Sequence, residues 1–198
     1  DLQFELALRH LLDGDFAAAQ VGFKVTSKKL GTDPFVIHIV DCHDCDHAKY
    51  GKSKWDHANL TAKLIELDAK VKAGGEVGAD AAMQIGNALY NLTYWGNARA
   101  ATAETHQKTE DASLAMKYYK RAFELSKNRE LKAKAAFLAA KAELGNLLST
   151  TAVADASGTS RGLPVPSTWF PVMKQFANTR YYKEVIKECG HFASWVSR

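Results

Sequence analysis

Residues 130–146 read ELKAKAAFLAAKAELGN, and this stretch decides the fold class of the chain. Its inward positions recur at spacings of four, three and four: Leu131, Ala135, Leu138 and Ala142. Such spacing places the side chains on one face of an α-helix. The many alanines favour helix formation and leave room for a second helix to approach closely. The stretch therefore predicts a helix that packs tightly against other helices.

The same periodicity recurs on both sides of this stretch, for example in Leu60, Leu64, Leu67 and Val71. It predicts further helices over residues 2–12, 15–30, 56–73, 79–96, 110–127, 167–177 and 180–196. Short turns such as Gly14–Phe16 connect them, so neighbouring helices are expected to be antiparallel. The stretches 31–55 and 149–168 lack the periodicity. The first is expected to be an irregular loop and the second a mobile surface loop.

Two segments resemble parts of the tetratricopeptide (TPR) repeat. In the first, Gly14, Ala19 and Phe23 occupy the small and aromatic positions that pack a second helix against the first. The second, IGNALY at residues 85–90, resembles the first helix of such a repeat. We therefore predict an all-α fold, a TPR-like stack of antiparallel helix pairs with about seven or eight helices, in a single domain. Such stacks have an extended concave surface that binds peptides or protein segments.

The composition and charge of the chain limit the classes of protein to which it can belong. Of the 198 residues, 46% are apolar and 24% are charged, as in ordinary globular proteins, and the formal net charge is +4. That charge is too small to indicate a nucleic-acid partner. No apolar run is long enough to span a membrane. The chain begins at Asp1 without a methionine, so we expect a processed chain or a fragment.

Motifs distributed over the chain from residue 33 onward carry a closer resemblance. They are DPF at 33–35 with DCHDCD at 41–46, GNALYNLTYWGN at 86–97, LKAKA at 131–135 and YYKEVIKECG at 181–190. The chain thereby resembles a family of uncharacterised TPR-like helical-repeat proteins of Bacteroidetes, which are longer chains with export signals. The resemblance implies the C-terminal part of a cell-envelope or secreted protein on the periplasmic side, with the cytoplasm as the alternative. It implies no activity.

A cysteine pair with metal-ligand spacing lies in the predicted irregular loop. Cys42 and Cys45 can bind one metal ion from a single turn, and a zinc site needs two more ligands. The side chains that could supply them are His47, Cys189 and His191. Three interpretations stay open: a zinc site, a disulfide between two of the three cysteines, or unreactive thiols, because Cys189 lies on an apolar helix stripe.

Other chemistry at this loop is disfavoured. Asp46 stands where the attachment motif of c-type haem requires a histidine, and no βαβ pattern surrounds the cysteines as in a thioredoxin-like site. The alternating aspartates suggest calcium, but the glycine and the terminal glutamate of an EF-hand are missing. Capping of turns is the favoured role for these aspartates.

An amide-rich and aromatic stretch follows along the predicted helix 79–96. The candidate residues for the floor of a ligand groove are Asn87, Asn91, Tyr94 and Asn97. Amides suit this role because each side chain offers both a donor and an acceptor to the main chain of a bound peptide. The alternative is a polar network between packed helices beside an aromatic core.

No catalytic motif is present: the nucleophile elbow, the phosphate-binding loop and the HExxH zinc motif are all missing from the sequence. We therefore expect a protein that is not an enzyme and needs no cofactor, unless the cysteines bind zinc. The leading prediction is a non-catalytic scaffold for protein or peptide segments. The alternatives are a metal or redox-linked protein centred on Cys42 and Cys45, and the structural end cap of a longer helical solenoid.

Overall fold

The computed structural model of the chain describes residues 1–40, 54–102, 109–154 and 163–198. Within these ranges all regular structure is helical, with nine α-helices and no strand. The helices are α1 (Leu2–Leu12), α2 (Phe16–Phe23), α3 (His57–Ala73), α4 (Gly75–Leu92), α5 (Ser113–Leu125), α6 (Arg129–Ala154), α7 (Trp169–Lys174), α8 (Arg180–Glu188) and α9 (Gly190–Val196). A short 3-10 helix covers Arg99–Ala101. The all-α prediction is therefore confirmed, and none of the helices in these ranges is long and apolar enough to cross a bilayer.

Aspartate side chains begin the first three helices. Asp1 and Asp15 each accept a hydrogen bond from a backbone N–H in the first turn of α1 and α2. Asp56 and Asn59 form a reciprocal pair at the start of α3, in which each side chain accepts from the other residue's N–H at 2.9 Å. These contacts satisfy N–H groups that have no partner within the helix, which is why the helices begin there.

The helices pack mainly on their neighbours along the chain. A Cβ atom added to Gly86 of α4 would lie 2.6 Å from the ring of Tyr119 in α5, and one added to Gly78 would lie 3.4 Å from Leu125. The contacts therefore advance along α4 while they recede along α5, and the two helices run in opposite directions. The small residue at position 86 allows the two helices to approach each other closely.

Aromatic side chains pack the last three helices against α6. Phe192 of α9 is fully buried, and its ring lies 6.5 Å from Phe137 of α6 and 4.9 Å from Phe170 of α7. Tyr182 of α8 packs on the same ring at 5.5 Å. This aromatic cluster joins α6, α7, α8 and α9 into one core.

Helix α2 is shorter than the periodicity predicts, since it ends at Phe23 and not near residue 30. The residues that follow are paired with the start of α3: the N–H of Leu30 donates to Trp55 O at 3.0 Å, and Ser27 Oγ accepts from the N–H of Ala58. These long-range contacts outweigh the local preference for helix in this segment.

Helix α4 begins and ends four residues earlier than predicted, at Gly75 and Leu92. Gly74 has φ 79° and separates it from α3 without a longer loop, because this left-handed conformation is open to glycine. At the other end, the hydroxyl of Thr93 donates to Tyr90 O at 2.6 Å and closes the last turn.

Helix α6 continues to Ala154, into the stretch predicted as a mobile loop. The prediction of a mobile loop is therefore wrong for residues 149–154, whereas residues 155–162 lie outside the described residues. Helix α7 begins at Trp169, two residues later than predicted, and the N–H groups of Thr168 and Trp169 donate to the carboxylate of Glu143. The predicted last helix is divided at Cys189, whose ψ of 91° is not helical.

Candidate functional site

Two asparagines on α4, one helical turn apart, bind an irregular segment of the same chain. The Nδ2 group of Asn91 donates to Pro34 O at 2.9 Å and to Val36 O at 2.6 Å. The Nδ2 group of Asn87 donates to the carbonyl between them, Phe35 O, at 3.0 Å. Three consecutive main-chain carbonyls are therefore held by side chains of one helix.

A lysine of α6 holds the next part of the same segment. Lys141 Nζ donates to His38 O at 2.5 Å and lies 3.3 Å from Ile39 O. Only 8% of the lysine is exposed, and its ammonium group lies 5.5 Å from the centre of the Tyr90 ring. A cation in such a position forms stronger hydrogen bonds than it would in water.

We name residues 33–40 the strap, and we name the surface of α4 and α6 that holds it the strap groove. The groove is marked by Asn87, Asn91 and Lys141. Five carbonyls of the strap accept hydrogen bonds from these three side chains. Main-chain carbonyls are common to all peptides, so this arrangement is able to hold an extended chain of many sequences.

Three apolar side chains of the strap, at alternate positions, pack on the protein. Phe35, Ile37 and Ile39 pack against the hydrophobic core. The ring of Phe35 meets the ring of Trp55 at 5.0 Å with an edge-to-face geometry. Val40, by contrast, is 53% exposed. The positions of Phe35, Ile37 and Ile39 therefore define a side-chain register in addition to the main-chain contacts.

The chain on either side of the strap is anchored independently of the groove. The N–H of Leu30 donates to Trp55 O at 3.0 Å, and the N–H of His57 donates to Lys28 O at 3.2 Å. The His57 ring adds a contact of 2.8 Å between Nδ1 and Lys28 O. The two ends of the stretch 31–54 are thus held side by side, whatever the strap itself contacts.

The other two predicted groove residues lie away from the strap contacts. The side chain of Asn97 is 2% exposed, and no described residue forms a hydrogen bond with its amide nitrogen or its amide oxygen. Its backbone N–H donates to Asn91 Oδ1 at 3.2 Å, which orients the Asn91 amide toward the strap. Tyr94 follows the end of α4, is 50% exposed and packs on Trp95.

Comparison with protein-family models, curated proteins and solved structures finds no match for this chain. The resemblance to the Bacteroidetes family therefore stays a prediction. The function has to be inferred from the geometry of the chain itself.

The described contacts of the asparagines are those of a polar network within the chain, and a ligand groove stays a prediction. The amides of Asn87 and Asn91 bind a peptide main chain, but that main chain belongs to this protein. They also join a polar network between packed helices, because Asn87 Oδ1 accepts from the Tyr119 hydroxyl at 3.2 Å. Lys141 was not predicted as part of the site. The available signal was a lysine one helical turn beyond Leu138, among the buried alanines of α6.

The predicted metal or disulfide site cannot be assembled from the described ranges. Cys42, Cys45 and His47 lie outside the described residues. Cys189 is partly buried between α8 and α9 and forms no disulfide with another described residue. Nε2 of His191 is buried and has no hydrogen-bond partner within the described part of the chain, and burial, with a smaller effect of Arg198, lowers the pKa of this ring. Elsewhere in the described chain no group of three or more potential metal ligands occurs, so zinc binding stays a prediction.

Proposed function

We propose that this chain is a non-catalytic scaffold that binds an extended segment of a partner protein in the strap groove. The observation that carries the proposal is the set of five strap carbonyls that accept hydrogen bonds from Asn87, Asn91 and Lys141. Helical scaffolds recognise peptides by such contacts, since side chains on a rigid helix present donors at fixed positions. The partner is a protein or peptide segment, and we propose no nucleic-acid partner.

The arrangement of the helices supports a TPR-like stack as the framework of this groove. Helices pack mainly on their neighbours in the chain, and α4 and α5 run in opposite directions. In such a stack, residues from alternate helices share one surface, as Asn91 of α4 and Lys141 of α6 do. The location in the cell envelope belongs to the same proposal and rests on the family resemblance alone.

The experiment uses the full chain and a synthetic peptide with the sequence of the strap, DPFVIHIV, acetylated at its N-terminus and labelled with fluorescein. The strap occupies the groove, so its packing is first weakened by two substitutions, Ile37→Ser and Ile39→Ser. We name this double variant the inward variant. Binding is measured by fluorescence anisotropy, and circular dichroism with thermal unfolding verifies that the variant is folded. We expect saturable binding of the peptide.

The control adds Lys141→Met to the inward variant, which keeps the length and apolar volume of the side chain but removes the ammonium donor. Hydrogen bonds from a charged group contribute about 1.5–3 kcal/mol, so the dissociation constant should rise by roughly tenfold to a hundredfold. A folded inward variant that does not bind the peptide, or that binds it equally well without Lys141, would exclude the strap groove as a binding site.

A further inference from the structure

We propose that the strap is a built-in competitor for the groove, and that the partner segment has the strap's own pattern: an aromatic residue followed by β-branched residues at alternating positions. The inference rests on the proposed function and adds to it the chemistry of the partner and the regulation of binding. It follows from three observations: the register of the side chains, the anchoring of the strap's ends, and the burial of the donors.

The register of the strap indicates which partner side chains fit. Phe35 packs on Trp55, and Ile37 and Ile39 pack on the core. The pattern is therefore an aromatic residue at one position and β-branched residues two and four positions later. A segment bound one residue out of this register would place other side chains at these three positions. A partner segment must match this register, while its outward residues are free to vary.

The anchoring of the ends allows the strap to leave without unfolding the helices around it. The contacts of Leu30 with Trp55 and of Lys28 with His57 hold both flanks and involve no strap residue. Residues 35–39 are only partly buried, unlike the fully buried core of α4 and α6. Release of the strap therefore breaks its side-chain packing and five hydrogen bonds, but not the packing between helices.

Because the donors are buried, we expect an incoming segment to replace the strap directly, so that the groove is never empty. Asn91 is completely buried beneath the strap, and Asn87 and Lys141 are nearly so. If the strap left an empty groove, the amide and ammonium groups would lose their acceptors in a site with little access to water. An incoming extended segment supplies new carbonyls at the same positions. The groove therefore selects extended main chains over ligands that lack a row of carbonyl groups.

The tether gives the strap a concentration advantage over a free peptide. A segment attached to the same chain competes at an effective concentration on the order of millimolar. The wild-type chain should consequently bind the labelled strap peptide at least about tenfold more weakly than the inward variant does. The matched outward variant, Val36→Ser with Val40→Ser, loses two β-branched residues from the other register and should bind as weakly as the wild type.

The test compares the three chains in anisotropy titrations with two further peptides, one with serine at the two inward isoleucine positions and one with serine at the two outward valine positions. The peptide with serine at the two isoleucine positions should not bind the inward variant, whereas the peptide with serine at the two valine positions should bind it. Equal affinity of all three chains for the strap peptide would overturn the competition while leaving the proposed function intact. A folded inward variant without any binding would instead remove the proposed function itself.

Hydrogen exchange on the wild-type chain tests the same point without any substitution. Saturating unlabelled peptide should increase exchange in α4 and α6 by less than about twofold, because displacement leaves the helices packed. In the same sample, carbon NMR of the isotope-labelled chain should show shifts of the strap carbonyl signals, because these carbonyls lose their side-chain donors. Unchanged carbonyl signals at saturation would overturn displacement. A concentration-dependent dimer of the wild type that the inward variant does not form would overturn the intramolecular competition, because the groove would then hold the strap of a second copy.

Discussion

At the scale of single residues, Asn91 determines how the strap lies. The side chain is fully buried, its nitrogen donates to two strap carbonyls and its oxygen accepts from the N–H of Asn97. One amide therefore connects α4, the strap and the turn that follows α4. Such a residue contributes to folding and to the shape of the groove together.

The substitution Asn91→Ala should lower the free energy of unfolding by about 2–4 kcal/mol, because three buried partners lose their hydrogen bonds at once. Tyr94→Ala, which removes a half-exposed ring from the same sequence motif, should cost less than about 1 kcal/mol. Urea unfolding followed by circular dichroism measures both. Similar losses for the two variants would show that the Asn91 contacts contribute little.

At the scale of secondary-structure elements, two glutamates on α6 cap the N-termini of helices that pack on it. Glu143 accepts from the N–H groups of Thr168 and Trp169 at 3.0 and 3.1 Å, at the start of α7. Glu130 accepts from the N–H groups of Arg180 and Tyr181 at the start of α8. These hydrogen bonds lower the pKa of Glu130, so the contact is present at neutral pH and is lost as the pH falls through that lowered value.

The substitution Glu143→Ala should destabilise α7, since neither Ser167 nor Thr168 caps this helix with its side chain. Loss of a helix cap costs about 1 kcal/mol. The measurement is hydrogen exchange of the α7 amides, combined with urea unfolding of the whole chain. Glu124→Ala is the control, because Glu124 lies on the exposed face of α5 and forms only ion pairs of 3.9 Å. Its removal should change stability by less than about 0.5 kcal/mol.

At the scale of the whole molecule, His57 joins the first helix pair to the rest of the chain. Its ring lies 4.9 Å from Phe4 of α1 and 4.8 Å from Phe23 of α2. Nδ1 is 2.8 Å from Lys28 O, and Nε2 is 3.3 Å from Ala101 O. Burial lowers the pKa of His57 below 6.5, although the two carbonyl contacts oppose the shift.

The lowered pKa of His57 predicts a pH dependence of stability. The folded chain favours the neutral ring, so its contribution is complete above the unfolded pKa of about 6.5. It is lost as the pH falls from that value toward the lower pKa of the folded chain. The free energy of unfolding, measured with urea from about pH 8 to about pH 5, should therefore decrease in this window.

The substitution His57→Gln should flatten this decrease while lowering stability at neutral pH, since the amide replaces only part of the packing and hydrogen bonding. Burial also lowers the pKa of His191, so part of the slope should remain. The double variant with His191→Gln should remove that remainder. An unchanged slope in the double variant would assign the pH dependence to other groups.

The periodicity of apolar residues predicts the existence and order of the helices in the described chain, because it is a local property that each segment carries by itself. The boundaries are less well predicted. The end of α2 at Phe23 depends on contacts with residues that are distant in the sequence, between residues 27–30 and 55–58. Local propensity contains no information about those contacts.

The sequence by itself determined the helical class of the chain and marked Asn87 and Asn91 as residues suited to hold a peptide main chain, because helix periodicity and amide chemistry are properties of the residues. Only the tertiary structure decided which main chain they hold. The strap reaches Asn91 across 55 residues of sequence and Lys141 across more than 100. A lysine in an alanine-rich helix looks like a solvent-exposed residue until the packing of α4, α6 and the strap buries it.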